Sequence, residues 1–455
     1  MINIIIAILL IGVLIVFHEF GHFIVAKANG VAVLEFAIGF GPHLIKIRKG
    51  DTDYCINLIP LGGYCMMLGM DDAETGNFKT SEDEDEEETP LEAHKRELEE
   101  KYGSGASFAS KSVWTRIAIV LAGPIGNFLL AFILSVIVIG NVGVDTAVID
   151  YVESGSVAEQ AGIEAGDTIV KMNGSKVNFE RDYSFYRYFH ASNTLDLTLI
   201  KADGTEYTAT ITPEYQKKNA YKMGVTITSE REVSGVGMDS VAEKAGIKTG
   251  DVITAVDGVK METNSQITNA VSQSEGKEIA LTIQRDGETL EVKVTPAFQE
   301  TIAYNTGLTL LGYREKVSPV KVLYYAGAET VYWMKAVGTS LANMFTGRVG
   351  VNDLSGPVGM VDSISNLVES SKPDGTYYVI LNVLNYGIML SANLGVMNLL
   401  PIPGLDGGRL IFLILEVIRR KPVKKEHEGA VTLVGMILIL LLAGYVLFHD
   451  ISKLF

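Results

Sequence analysis

The chain has 455 residues, 47% of them hydrophobic and 20% charged, where soluble chains carry about 25% charged residues. Two cysteines cannot build a disulfide framework, and a net charge of −16 lacks the basic footprint that nucleic-acid binding needs. A collagenous, disordered or fully soluble protein is excluded, and the apolar excess has to be concentrated somewhere.

It is concentrated in four stretches, residues 4–28, 117–139, 377–400 and 430–448, each near the roughly 20 residues that cross a hydrocarbon core. The first competes with a cleaved signal peptide, because Ala26-Lys27-Ala28 resembles a cleavage site. A start of Met1-Ile2-Asn3 without basic residues, followed by a long apolar run, favours a retained span. After the third stretch come Arg409, Arg419, Arg420, Lys421, Lys424 and Lys425, which mark a cytoplasmic loop. Four spans then put residues 29–112 in the cytoplasm as well, and both termini and the region between the second and third spans outside. The run of seven acidic residues at 82–88 does not oppose this, since acidic residues contribute little to the orientation rule. Residues 317–345 are apolar in patches but contain Lys321, Glu329 and Lys335, which points to an interfacial amphipathic helix and not a fifth span.

The first stretch contains His18-Glu19-Phe20-Gly21-His22. Residues four apart share a helix face, so two imidazoles there can reach one zinc ion. Glu19, offset around the helix, is free to take a proton from water. Ionisable residues inside an apolar span cost about 2.5–3.5 kcal/mol each on insertion scales and mark function by default. A catalytic zinc takes a third protein ligand, and Asp406 is the strongest candidate. It directly follows the third span, at the same predicted depth as the two histidines. Its bland alternative is a helix N-cap after the break at Pro401 and Pro403. The other histidines (His43, His94, His190, His427 and His449) have no helical partner at metal spacing, and Cys55 and Cys65 lack a zinc-ligand spacing.

Between the second and third spans the chain repeats itself. Ser156-Val157-Ala158-Glu159-Gln160-Ala161-Gly162-Ile163 returns 84 residues later as Ser240-Val241-Ala242-Glu243-Lys244-Ala245-Gly246-Ile247, each followed by Gly-Asp and a strand. The pattern resembles tandem PDZ domains of the circularly permuted bacterial kind. Such modules bind chain ends by strand addition; the alternative is a passive spacer or size filter. In the cytoplasmic loop, residues 51–68 read as a hairpin with strands at 54–59 and 64–68 and a turn at 60–63. Its edge is expected to pair with extended substrate.

Together with Gly39-Phe40-Gly41-Pro42, Ile59-Pro60-Leu61-Gly62-Gly63-Tyr64, Ala122-Gly123-Pro124-Ile125-Gly126-Asn127-Phe128, Ser355-Gly356-Pro357-Val358-Gly359 and the segment from Asn398 to Gly408, these motifs span nearly the whole chain. In this order they resemble the site-2 protease family of intramembrane zinc metalloproteases, in its bacterial regulator-of-sigma-E protease branch. The resemblance implies that His18, His22 and Asp406 bind zinc, that Glu19 is the base, and that Asn393 and Asn398 contact substrate. It implies substrates that are single-span membrane proteins, such as pre-cleaved anti-sigma factors or remnant signal peptides, in a bacterial plasma membrane. It also implies that the PDZ pair admits only substrates already shortened outside. Cys65-Met66-Met67-Leu68, where the family tends to have a Val-Lys-Met type of sequence, and the acidic insert depart from the pattern without touching the catalytic set.

The expected fold is a polytopic α-helical membrane protein with four transmembrane helices, a cytoplasmic-side membrane-associated β-hairpin and two extracytoplasmic α+β PDZ-like domains. The expected segments are transmembrane helix 1 (1–28), the cytoplasmic-side loop (29–112), helix 2 (113–143) and the PDZ-like domains (144–216 and 217–298). An interfacial amphipathic region (299–375), helix 3 (376–408), a basic cytoplasmic loop (409–429) and helix 4 (430–455) follow. The rival class is a non-enzymatic membrane adaptor built on the PDZ modules, which would have no reason to keep Glu19. A further rival, a different membrane zincin, would use Glu as its third ligand.

Overall fold

The computed structural model describes residues 2–70, 89–228, 231–237, 240–285, 287–312, 314–346 and 356–452; the acidic tract 82–88 lies outside the described residues. The chain divides into two compact units, Met1–Asp145 with Tyr313–Phe455, and Thr146–Gly312.

The first unit begins with α1 (Ile2–Ala28), apolar around most of its circumference as a helix in lipid must be. Ala7, Leu10, Leu14, His18, His22 and Ala26 recur at three- and four-residue intervals and make its buried face. Ile5, Leu9, Val13 and Ile24 are exposed on the other faces, which suits hydrocarbon and not water.

β1 (Val33–Lys49) follows and turns at Gly50-Asp51 into β2 (Thr52–Met67). The register departs from the tight hairpin expected of residues 51–68. Phe36 pairs with Cys65 on one side and Tyr54 on the other, while Tyr54 also pairs with Ile47. Residues 33–38 therefore lie between 63–67 and 53–56, and the two expected hairpin strands never meet each other. Bends in both long strands make this possible. Gly39 has φ +85°, and a Cβ there would sit 2.4 Å from the Ile59 carbonyl oxygen, so only glycine allows the turn.

α2 (Pro90–Tyr102) starts with a capping box between Thr89 and Glu92. α3 (Val113–Val142) is capped by Ser112 and carries Pro124, which has no N–H to give to the preceding turn.

The second unit contains the repeat. Its first copy runs through β3 (Ile149–Val152), α4 (Val157–Gln160), β4 (Thr168–Met172), β5 (Ser175–Lys176), α5 (Glu180–Phe189), β6 (Leu195–Ile200) and β7 (Glu206–Ile211). After β8 (Glu214–Lys222) and β9 (Val225–Ile227), the second copy runs through β10 (Val233–Val236), α6 (Val241–Lys244), β11 (Val252–Val256), β12 (Val259–Lys260), α7 (Asn264–Gln273), β13 (Ile279–Arg285) and β14 (Glu288–Val294). β15 (Ala297–Asn305) and β16 (Leu308–Leu310) close the unit. Each copy builds a four-stranded sheet, in the orders β5-β4-β6-β7 and β12-β11-β13-β14, over its own apolar core. β15 pairs with β8 along its whole length, and β16 returns to pair with β3. The second copy is thus threaded into the first, a connection that a tandem reading does not contain.

The first unit resumes with α8 (Pro319–Phe345), α9 (Pro357–Ser371), α10 (Thr376–Asn398), α11 (Asp406–Arg419) and α12 (Lys425–Ser452). Among the described residues, four helices are long and apolar enough to cross a membrane: Ile2–Ala28, Val113–Val142, Thr376–Asn398 and Glu428–Phe448. α8 is not one of them. α11 occupies part of the segment expected to be a basic loop. Its buried Gly407, Gly408 and Leu413 supply the packed face, and the flanking arginines obscure it in the sequence.

Candidate metal centre

α1 and α3 cross where both are stripped of side chains. A Cβ on Gly21 would lie 2.1 Å from the Ala122 carbonyl oxygen, and one on Gly126 would lie 2.7 Å from that of Phe17. This close approach sets the imidazoles of α1 against α3. His22 Nδ1 lies 2.8 Å from the Ile119 carbonyl oxygen, so it carries the proton and donates it there. Nε2 of His22 is left as a bare acceptor. His18 Nδ1 lies 3.1 Å from the carboxamide of Asn127, a fully buried side chain of α3.

Asp406 arrives from the far end of the chain. Pro401 and Pro403 end α10, and the loop folds back so tightly that a Cβ on Gly407 would sit 2.2 Å from the Leu400 carbonyl oxygen. Asp406 then stands in the first turn of α11, where a carboxylate is favoured by the helix dipole. Leu405 is the N-cap, so the capping alternative for Asp406 does not describe its place.

The three groups converge. Asp406 Oδ2 is 3.1 Å from His18 Nε2 and 3.3 Å from His22 Nε2, and the two Nε2 atoms are 3.3 Å apart. A tetrahedral zinc with bonds of about 2.0–2.1 Å requires ligand atoms about 3.3 Å apart, and this triangle is one face of it. The chemistry agrees with the distances. Oδ2 is buried and accepts no hydrogen bond among the described residues, and His22 Nε2, a bare acceptor, lies beside it. A cation between them would satisfy both. Gly123 keeps the place open, since a Cβ there would lie 2.2 Å from His22 Nε2.

Glu19 shares a cavity of about 510 Å³ with the three groups, lined also by Tyr64, Cys65 and Asn398. The Glu19 carboxylate faces the backbone N–H of Cys65, which ties it to the β2 segment 63–67. Asn398, at the end of α10, has Nδ2 3.3 Å from both ring nitrogens of His18. Asn393 is half-buried and is not part of the cavity lining. Five residues before Asn398 on a helix, it faces elsewhere, whereas Leu394, four before, does line the cavity. Asn127 and Gly123 belong to the centre although the sequence marks them only as parts of a motif. A buried Asn four residues after a helix-crossing glycine is the signal that could have singled them out.

The chain matches the family model described as Peptidase family M50 over residues 6–442. It is 28% identical to the regulator of sigma-W protease RasP of Bacillus subtilis, with 100% of this chain and 99% of that protein covered. It is 32% identical to the zinc metalloprotease RasP of Shouchella clausii, covering 98% of this chain and 97% of the relative. Against the regulator of sigma-E protease RseP of Salmonella typhimurium the identity is 31%, with 98% of each chain covered. A metal-ready triangle on apolar helices and a family match over nearly the whole length lead to one conclusion: the chain belongs to peptidase family M50 and is a zinc metalloprotease.

Proposed function

We propose that the protein hydrolyses a peptide bond within the membrane-spanning segment of single-span proteins, with His18, His22 and Asp406 as zinc ligands and Glu19 as general base. The observation that carries this reading is the convergence of three ligand-type atoms 3.1–3.3 Å apart, two of them on a helix long and apolar enough to span a membrane. Zinc held by His18, His22 and Asp406 would supply Lewis acidity to the scissile carbonyl and to a water molecule, easing loss of the water's proton near neutral pH. Glu19 takes that proton and hands it to the leaving amine. Asn398 donates to the developing oxyanion or holds the unwound substrate chain. For Asn393 a substrate contact rests on the family resemblance alone.

A helical substrate hides its peptide bonds and has to unwind, and an unwound chain in lipid needs new hydrogen-bond partners. The segment 63–67 forms an outer strand of the curled sheet and lines the cavity, so it is the place where an extended substrate adds as a further strand. The basic residues from Arg409 to Lys425 support a centre toward the cytoplasm, and four spans then favour the opposite face for the repeat. There the two PDZ-like modules admit substrates whose outer domain has been removed, as expected of pre-cleaved anti-sigma factors or remnant signal peptides.

The test is cleavage of a single-span model substrate, shortened on its outer side, by the protein in bilayers. Product masses that place the cut inside the apolar span support the proposal. No cleavage, or a cut outside the span, overturns it.

A further inference from the structure

We propose that Glu35, His43 and Cys55 form a second metal site, separate from the centre on α1, for a divalent cation of the zinc class. One ligand atom from each lies within 4.8 Å of the others, and Glu35 Oε1 is 3.8 Å from His43 Nδ1. Glu35 and Cys55 are 3% and 2% exposed, so both offer their ligand atoms inside the curled sheet and away from water. A carboxylate held there is costly unless a positive charge meets it. The Tyr64 hydroxyl donates to Glu35 Oε1 at 2.5 Å, and His43 Nδ1 lies 3.8 Å from it. A thiolate, an imidazole and a carboxylate make a donor set that selects zinc and its analogues over magnesium or calcium.

The Glu35–His43 pair needs little change. Tetrahedral coordination by these atoms puts them about 3.3–3.7 Å apart, so the Glu35–His43 separation closes by about half an ångström. His43 can supply the movement, its side chain being 36% exposed. Its Nδ1 now donates to Asn57 Oδ1 at 2.8 Å, and Asn57 Nδ2 donates to the Gly39 carbonyl oxygen at 3.0 Å. On binding, the imidazole proton moves to Nε2 through solvent, and Asn57 Oδ1 is left beside the cation as a fourth donor. The Cys55 S–H bond breaks, its electron pair goes to the metal, and one proton is released to water. Without a cation the thiol keeps that proton, since burial and then the Glu35 carboxylate push it up to about 12. The spacing of 35, 43 and 55 matches no metal motif because the site is assembled by the strand bends, which bring three separate segments together. Tyr64 touches Glu35 and also lines the catalytic cavity, so a cation here braces the sheet beside it.

Cobalt loading of the full-length protein tests this. None of His18, His22 and Asp406 is a thiolate, so a thiolate-to-cobalt charge-transfer band reports the second site once Cys65→Ser has shown that Cys65, which lines the catalytic cavity, does not give rise to it. The expected result is two cobalt ions per chain with the band present. Cys55→Ser should abolish the band and leave one ion. His43→Gln, at a half-exposed position that folding tolerates, should weaken the second binding step at least tenfold. Absence of the band, a band unchanged in both variants, or its loss in Cys65→Ser with retention in Cys55→Ser would overturn the proposal.

Discussion

Asn127 holds the ring of His18: its Nδ2 lies 3.1 Å from Nδ1, and its Oδ1 is buried with no hydrogen-bond partner among the described residues. Exchanging the amide oxygen and nitrogen turns the orphaned Oδ1 to the ring; Nδ1–H then donates to it and Nε2 is presented bare toward Asp406, the orientation that metal-bound imidazoles take from a neighbouring acceptor. Asn127→Ala should therefore lower zinc affinity about 10–100-fold. Asn127→Asp, which keeps the acceptor, should retain most of it. Chelator competition on the two variants reads the difference directly.

Gly123 should tolerate no side chain. The Cβ of Gly123→Ala would lie 2.2 Å from His22 Nε2, in the place proposed for the ion, and the helix backbone around it is already in contact with α1. The expected outcome is protein that folds and inserts but carries little zinc, measured as metal content per chain. Zinc content equal to that of the wild type would mean that His22 points elsewhere.

Much of this was legible before the structure. The two imidazoles of α1 follow from helical periodicity, and Asp406 from counting spans, because both depend on local chemistry and depth. The crossing of α1 and α3 was not legible, since Gly21, Gly123 and Gly126 look like ordinary glycines until two backbones meet there. The sheet differs from the expected hairpin for a similar reason. Alternation in 54–59 and 64–68 says that both are strands, but their partner, 33–38, is chosen by bends at glycines and not by side-chain period. α11 was hidden by its flanking arginines, and the return of β16 to β3 by the whole second repeat lying between them.

Asp53 should stabilise the curled sheet at neutral pH and cease to do so in acid. Its carboxylate is 1% exposed and meets Arg48 at 2.6 Å, Lys46 at 3.0 Å and His94 at 3.3 Å. Burial pushes the carboxyl up, and the Arg48 and Lys46 partners more than offset this and hold it at about 2, against 3.8 for the free side chain. A depressed folded value means stability that is present above the unfolded value and lost as pH falls through the folded one. Asp53→Asn should cost about 1–3 kcal/mol at neutral pH. The gap in melting temperature between wild type and variant should narrow below about pH 4 and close near pH 2.

Proline placed singly along 63–67 removes a backbone donor from the strand that lines the cavity. If substrate adds to that edge, at least one such variant should cleave a single-span substrate at least about tenfold more slowly, with zinc content unchanged. Turnover that stays at the wild-type level across the whole segment would remove strand addition from the mechanism.

The most direct test of the account pairs cleavage with metal content in Glu19→Gln. Glu19 shares the cavity with His18, His22 and Asp406 but is assigned the proton and not the ion. The prediction is that Glu19→Gln keeps the zinc bound at the His18–His22–Asp406 centre while cleavage of a single-span substrate falls by about 10²–10⁴-fold. Zinc retained with cleavage at the wild-type rate would contradict the account.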